Sequence, residues 1–432
     1  MRDNTEDLYR GWRMLLAGMQ MLFVAFGALV LVPLITGLDP SVALFTAGIG
    51  TLIFQFTTKR SVQVFLASSF AFIAPILFSV QTWGMAATMG ALFCAGLVYV
   101  ALSAVVAVRG PGFLHRLLPP VVTGPIIMVI GLGLAPIAVN MAMGKAGDAS
   151  AELFPYADAM WVSMPALITT LLVATLAKGI FRLVPILAGV AVGYTIAAFT
   201  GMVDLTAVDA SPWVKLPQFV TPEFQLAAIL FMIPVAIAPA IEHVGDVLAI
   251  GSVTGKNYVQ KPGLHRTLLG DGLATSAASL FGGPPNTTYS EVTGAVMLTK
   301  AFNPVVMTWA AVFAIVLAFV AKFGVLLQTI PTPVMGGIMI LLFGSIAGVG
   351  MNILIKAKVD MSAQRNLVIV ATTLVFGIGG MAIGSSEFHL QGVSLCGVVA
   401  IVLNLLLPHE KADAEDLHEE QEIVEDILEH SK

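Results

Sequence analysis

Charge is what this sequence has least of. Only 11% of its 432 residues are Asp, Glu, Lys or Arg, where a soluble protein carries about a quarter. That shortage excludes a water-facing coat over most of the chain. The two cysteines, Cys94 and Cys396, both lie in apolar segments, so neither a disulfide framework nor a cysteine metal site is expected. No metal-ligand cluster, nucleophile–base arrangement or phosphate-binding glycine loop appears. An enzyme is therefore not expected, nor a bound cofactor, nor a nucleic-acid partner. What fills the sequence instead is apolar: 57% of residues are hydrophobic and the mean hydropathy is +0.92. Apolar runs of 18 or more residues, broken by Gly, Pro and short charged clusters, recur from Trp12 to Pro408. Runs of that length predict an all-α polytopic membrane protein and exclude a barrel, whose strands are shorter.

The net charge of −5 comes from one end. Residues 409–432 hold ten acidic side chains against Lys411 and Lys432, which leaves a slightly basic body, as suits a protein facing anionic lipid. Leu417, Val424, Ile427 and Leu428 lie at helical spacing, so this acidic cytoplasmic tail reads either as a short amphipathic helix or, preferably, as a solvated run. Met1 to Arg13 is polar and the first apolar run is long enough to span, so no cleavable signal peptide is expected.

About fourteen segments follow from the apolar runs. They fall near 14–36, 40–58, 61–80, 84–108, 119–141, 160–177, 183–202, 224–250, 266–282, 286–302, 304–325, 330–354, 364–384 and 390–408. With both termini cytoplasmic, 18 of the 21 Lys and Arg residues fall in inner loops, and only Lys145, Lys215 and Lys322 fall outside. This is the asymmetry that the positive-inside rule demands of a multi-pass inner (plasma) membrane protein.

The chain also repeats itself. Ser68-Ser69-Phe70-Ala71-Phe72 in the third segment matches Thr287-Thr288-Tyr289-Ser290-Glu291 in the tenth. Pro120-Val121 with Gly124 opens the fifth as Pro333-Val334 with Gly337 opens the twelfth. The offsets, about 219 and 213 residues, nearly agree. Each pair holds the same place in a half of seven segments, and an odd number inverts the second half. A 7+7 inverted repeat results, with segments 3 and 10 interrupted by short extended stretches that meet near the midplane and offer backbone groups to a ligand.

Ionisable residues within a span cost several kcal/mol and mark function. Here they are Glu242, His243 and Asp246 in the eighth segment, Asp271 in the ninth and Glu291 in the tenth. Glu242 and Asp246 are four apart and share a helical face. Pro234 and Pro239 precede them and loosen the helix on the approach. His243 turns about 100° from Glu242 and reads as a polar bridge between helices in preference to a substrate contact. Asp271, in Gly270-Asp271-Gly272, reads as a helix cap or cross-link in preference to a ligand contact. Glu242 and Glu291 have no intramembrane Lys or Arg nearby, so they must be protonated, solvated, or bound to a cation or an N–H-rich ligand. Carboxylates with backbone amides suit a planar base with alternating N–H and C=O groups, with Phe70 and Tyr289 to pack on it. An inorganic anion would want a basic residue there.

Glu242-His243-Val244-Gly245-Asp246, Gly282-Gly283-Pro284-Pro285-Asn286-Thr287-Thr288-Tyr289-Ser290-Glu291 and Ser68–Phe72 resemble the nucleobase–ascorbate transporter family, also called nucleobase:cation symporter-2. The likeness runs from about residue 11 to 408, and the Gly-Gly-Pro-Pro-Asn-Thr-Thr-Tyr run is similar to the bacterial uracil permease branch. The resemblance implies a core domain, 14–118 with 222–326, and a gate domain, 119–205 with 329–408, followed by the tail 409–432. It further implies a homodimer through the gate domains and an elevator-type movement of the core. Carried over, Glu242 and Glu291 hold the base, while Phe70, Tyr289, Ser290 and Ser69 line it. Glu242 and Asp246 take part in proton coupling. Three positions depart from the pattern. Asp246 stands where uracil permeases often carry His, Met21 where many members carry His, and Val292 where Asn usually follows. The expected function is import of uracil or a related nucleobase with a proton, sodium remaining open as the coupling ion. The alternatives are a xanthine or urate permease of the same family, favoured by Asp246, and an anion exchanger or channel on the same fold.

Overall fold

The computed structural model describes residues 11–110, 112, 117–384 and 389–408. The acidic tail 409–432, and Arg2, Arg10 and Arg116 of the charge count, lie outside the described residues. The first apolar run folds as α1 (Trp12–Val24) and α2 (Phe26–Thr36), broken at Ala25. In α3 (Pro40–Thr57) the start is set by Pro40 and by the Asp39 carboxylate, which accepts from the Ser41 N–H at 2.8 Å. Strand β1 (Leu66–Ser68), a 3₁₀ turn at Phe70–Phe72, α4 (Ile73–Trp83) and α5 (Met85–Arg109) follow. Next come α6 (Pro120–Ala142), α7 (Tyr156–Leu176) and α8 (Pro185–Phe199). A short α9 (Thr206–Ala210) precedes α10 (Leu226–Val235) and α11 (Ile237–Thr254), which part at Ala236, two residues after Pro234. The second half continues as α12 (Leu264–Leu280), β2 (Asn286–Thr288), α13 (Ser290–Thr299) and α14 (Val305–Ala318). It closes with α15 (Ala321–Gln328), α16 (Thr332–Lys356), α17 (Gln364–Ile378), β3 (Ala382–Gly384), β4 (His389–Gln391) and α18 (Gly392–Leu406).

Among the described residues, seven stretches are long and apolar enough to cross a membrane, including Trp12–Thr36, Pro120–Ala142, Leu226–Thr254 and Thr332–Lys356. The chain is a multi-pass membrane protein. The third expected segment mixes conformations, β1 first and then Phe70–Trp83. Three strand residues cover about 10 Å and Phe70–Trp83 about 21 Å, together close to the hydrocarbon thickness of about 30 Å.

Some expected boundaries move. The eleventh segment, expected over 304–325, is divided into α14 and α15. The thirteenth and fourteenth, expected over 364–384 and 390–408, give up their facing ends to an antiparallel pair in which Ile383 lies opposite Leu390. Gly380, at φ 73°, follows the end of α17 in a conformation open to glycine. The residues beyond it remain apolar, so hydropathy alone could not tell a short strand from more helix.

β1 and β2 pair antiparallel, with Leu66 opposite Thr288, Ala67 opposite Thr287 and Ser68 opposite Asn286. The Ser69 N–H extends the ladder to the Pro285 carbonyl at 3.0 Å. With the repeat offset of 219, the axis relating the halves falls between residues 67 and 68, at the centre of this ladder. The extended stretches are thus the point where the inverted halves touch.

Helices gather into two groups. In one, α5 and α3 pack on α12, and α3 and α1 on α14; in the other, α6 packs along α16, with α7, α17 and α18 around them. Small residues let the axes close without a hydrophobic drive between lipid and helix. A Cβ on Gly131 would stand 2.4 Å from the Phe343 carbonyl oxygen, and one on Gly350 would stand 2.5 Å from that of Gly124.

Candidate functional site

The site is built where two half-helices start. In the third segment the chain runs extended through β1 and Ser69, then turns at Phe70 into the 3₁₀ turn and α4. In the tenth, Tyr289 is still extended at φ −128° and ψ 110°, and α13 begins at Ser290. The ladder sets these starts side by side. The first N–H groups of any helix have no partner within it, and each helix start carries roughly half a positive charge. Two such starts at one place make a donor-rich spot in a protein otherwise poor in donors.

Carboxylates face that spot. Glu291 lies in the first turn of α13 and is exposed, so its side chain reaches open space although it lies within an expected span. Glu242, on α11, is half-buried. Glu242 is within electrostatic reach of both Asp246 and Glu291, so the structure brings together the three acids named from sequence. Asp246, 4% exposed, lies one turn along α11. Behind them Asp271 is fully buried on α12 and within reach of Asp246 and Glu242. Among the described residues the buried arginine is Arg365, and it is engaged elsewhere. Its guanidinium donates to the Asn404 carbonyl at 3.0 Å and the Asn404 side-chain oxygen at 2.7 Å, at the end of α18.

Aromatic rings close one side. Phe70 and Tyr289 are nearly buried, at 9% and 7% exposure. Their ring centroids lie 6.3 Å apart with planes at 43°. Two stacking gaps of about 3.5 Å would need about 7 Å, so the pair leaves no room for a flat ring between its two members. The Tyr289 and Ser69 hydroxyls are buried with no hydrogen-bond partner among the described residues. Ser69 thus has a buried hydroxyl to offer, while its backbone N–H is spent on the ladder. The Ser290 side chain lies outside what the structure describes; its backbone supplies the first residue of α13.

Two expectations about the neighbouring polar residues gain geometry. His243 Nδ1 lies 3.4 Å from Asp271 Oδ2 and 3.3 Å from Thr288 Oγ1, a bridge between α11, α12 and β2. Sequence reasoning missed Thr288 as its partner and Tyr99 as a neighbour. Tyr99, on α5, is fully buried, its hydroxyl has no partner among the described residues, and it faces Asp271 and Glu242. A tyrosine in the middle of an apolar run was the available signal. Met21, one of the three departures from the family pattern, is fully buried in the core.

The comparisons with known proteins agree with one another. A model described as the Permease family matches residues 13–386. A protein of Pasteurella multocida named probable uracil permease is 61% identical over 394 residues, 91% of this chain and 93% of that one. The uracil permease of Bacillus caldolyticus is 44% identical over 411 residues, 94% of each chain. Among solved structures, the transmembrane domain of a cyanobacterium bicarbonate transporter, BicA, aligns with a TM-score of 0.63. It covers 91% of this chain and 96% of that one at 16% identity, which shows a shared fold and nothing of the cargo.

Proposed function

This chain belongs to the nucleobase–ascorbate transporter family of permeases, and we propose that it imports uracil together with a proton across the inner membrane, both termini cytoplasmic. The observation that carries the reading is the meeting of Glu242 and Glu291 with two half-helix starts, at a place without a buried Lys or Arg among the described residues. Uracil alternates N–H donors with C=O acceptors around one flat ring. Its N–H groups donate to the two carboxylates, and its carbonyls accept from the free N–H groups at Phe70 and at the start of α13. The ring packs across Phe70 and Tyr289. A bicarbonate-like anion, by contrast, would meet the carboxylates and be repelled. The names of the relatives, uracil permeases in Pasteurella multocida and Bacillus caldolyticus, support uracil over a purine.

Four carboxyl groups (Glu242, Asp246, Asp271 and Glu291) crowd one region. A proton taken up at Glu242, with Asp246 assisting, relieves repulsion between like charges and leaves a hydroxyl able to donate to a base carbonyl. One proton moving inward across 100 mV supplies about 2.3 kcal/mol, enough for roughly fifty-fold accumulation of a neutral base. The α1–α5 and α10–α14 group, the core, moves against the α6–α8 and α16–α18 group, the gate, through which two chains pair. The test is Glu242→Gln in reconstituted vesicles. Uracil accumulation driven by a proton gradient should vanish; unchanged gradient-driven uptake would remove Glu242 from coupling. Competition by unlabelled xanthine stronger than by uracil would instead move the reading to a purine cargo.

A further inference from the structure

Behind the carboxylates lies a polar layer that does not reach the ligand. His243 follows Glu242 in sequence and is fully buried. Its ring is held edge-on by Phe54 of α3, centroids 6.3 Å apart at 72°. On one nitrogen it meets two other elements, Asp271 of α12 at 3.4 Å and Thr288 of β2 at 3.3 Å. Thr288 lies directly before Tyr289 and three residues before Glu291, and opposite Leu66 of β1 in the ladder. A single imidazole therefore joins the helix that carries Glu242 to the strand that leads into Glu291.

We propose that His243 is a positioning residue for the nucleobase: through Asp271 and Thr288 it fixes the spacing between Glu242 and Glu291. The proposal rests on the reading of those two carboxylates as the groups that hold the base. A neutral imidazole has one N–H; the hydrogen bond at Nδ1 is the one with Thr288 Oγ1, while the Asp271 carboxylate lies beside it at ion-pair distance with no hydrogen bond of its own among the described residues. The titratable groups facing this pair are Asp271 from α12, Tyr99 from α5, and Glu242 and Asp246 from α11. Without the imidazole, the buried Thr288 hydroxyl loses its bond to α11 and the buried Asp271 loses the polar group beside it, which frees β2 and α12 to shift against α11. The ligand then meets two carboxylates at the wrong separation. Misplacement by about 1 Å is enough to cost a factor of ten or more at a preorganised site.

The experiment uses the full chain, purified and reconstituted, with labelled uracil as the probe for both equilibrium binding and uptake. His243→Ala should raise Kd and KM about tenfold while Vmax per folded molecule falls less. His243→Asn, whose side-chain N–H stands near the position of Nδ1, should return Kd to within about threefold of the parent. A purely structural role would lower the amount of working protein and leave KM alone, and that outcome overturns the proposal. If His243→Ala does not fold, His243→Asn and Asp271→Asn decide, since each keeps the shape. With the bridge intact in function the first binds as the parent does and the second binds weakly. Weak binding by His243→Asn, or parent-like binding by Asp271→Asn, overturns it. Glu242→Gln is run beside them. If that variant binds uracil normally, the reading of the carboxylates falls; if it binds weakly while His243→Ala binds normally, only the present proposal falls.

Discussion

The two halves of this protein share a backbone plan and differ in chemistry. Ser68–Phe72 and Thr287–Glu291 follow the same path, a short strand that turns into a half-helix, and they pair about an axis midway along their ladder. At the last position of that motif the first half has Phe72, fully buried, and the second has Glu291, exposed. The eighth segment carries Glu242, His243 and Asp246, while α1 and α2 of the first half carry no acidic residue or histidine. Symmetry thus builds the place, with both halves supplying helix starts. The second half alone supplies the carboxylates. A scaffold can stay symmetric because packing tolerates repetition, whereas a ligand without that symmetry needs its hydrogen-bond partners placed on one side.

That contrast can be broken at the scaffold or at the chemistry. The largest effect is expected where the halves pack. Gly131→Leu drives a side chain into the Phe343 carbonyl across the α6–α16 contact, and no monodisperse protein should emerge from size-exclusion chromatography. Glu291→Gln comes next. The fold should persist while uracil binding weakens about 10- to 100-fold, because a charge-assisted hydrogen bond is worth about 1.5–3 kcal/mol; titration of the purified protein with uracil measures it. Its counterpart Phe72→Leu should behave in the opposite way, costing on the order of 1–2 kcal/mol of stability and leaving uracil affinity within about twofold. A thermal melt beside a binding curve checks both. The smallest effect lies outside the spans, at Asp204. Hydrogen bonds from the Thr206 hydroxyl and then its backbone N–H hold this carboxyl below its ordinary range. A lowered value contributes stability above the unfolded pKa, lost as pH falls through the folded one. The group is fully exposed, so Asp204→Asn should change the acid-side fall in Tm by about 1 °C or less, measurable in melts at neutral and acid pH.

Much of this architecture was legible because the membrane imposes simple rules. Apolar runs gave the segment order, and the repeat at offset 219 pointed to the two extended stretches that the structure pairs as β1 and β2. Glu242, Asp246 and Glu291 stood out because charge inside a span is costly. The parts that were hidden depend on contacts far apart in sequence. His243 and Thr288 are 45 residues apart, and nothing local says that one will touch the other. The β3–β4 pair was hidden for a different reason, since a short apolar strand beside an apolar helix leaves the hydropathy unchanged. Asp39, just before α3, is the contrasting case of a local contact, its carboxylate meeting the Ser41 N–H two residues on.

The central claim is that the carboxylates of the second half bind uracil and couple its entry to a proton. Uptake of labelled uracil into vesicles holding only this purified chain, with an imposed inward proton gradient and then with a protonophore, tests it most directly. Accumulation above equilibrium that collapses when the protonophore is added is the predicted result. Equal uptake in both conditions, or no uracil uptake beside strong xanthine or sulfate flux, would contradict the account.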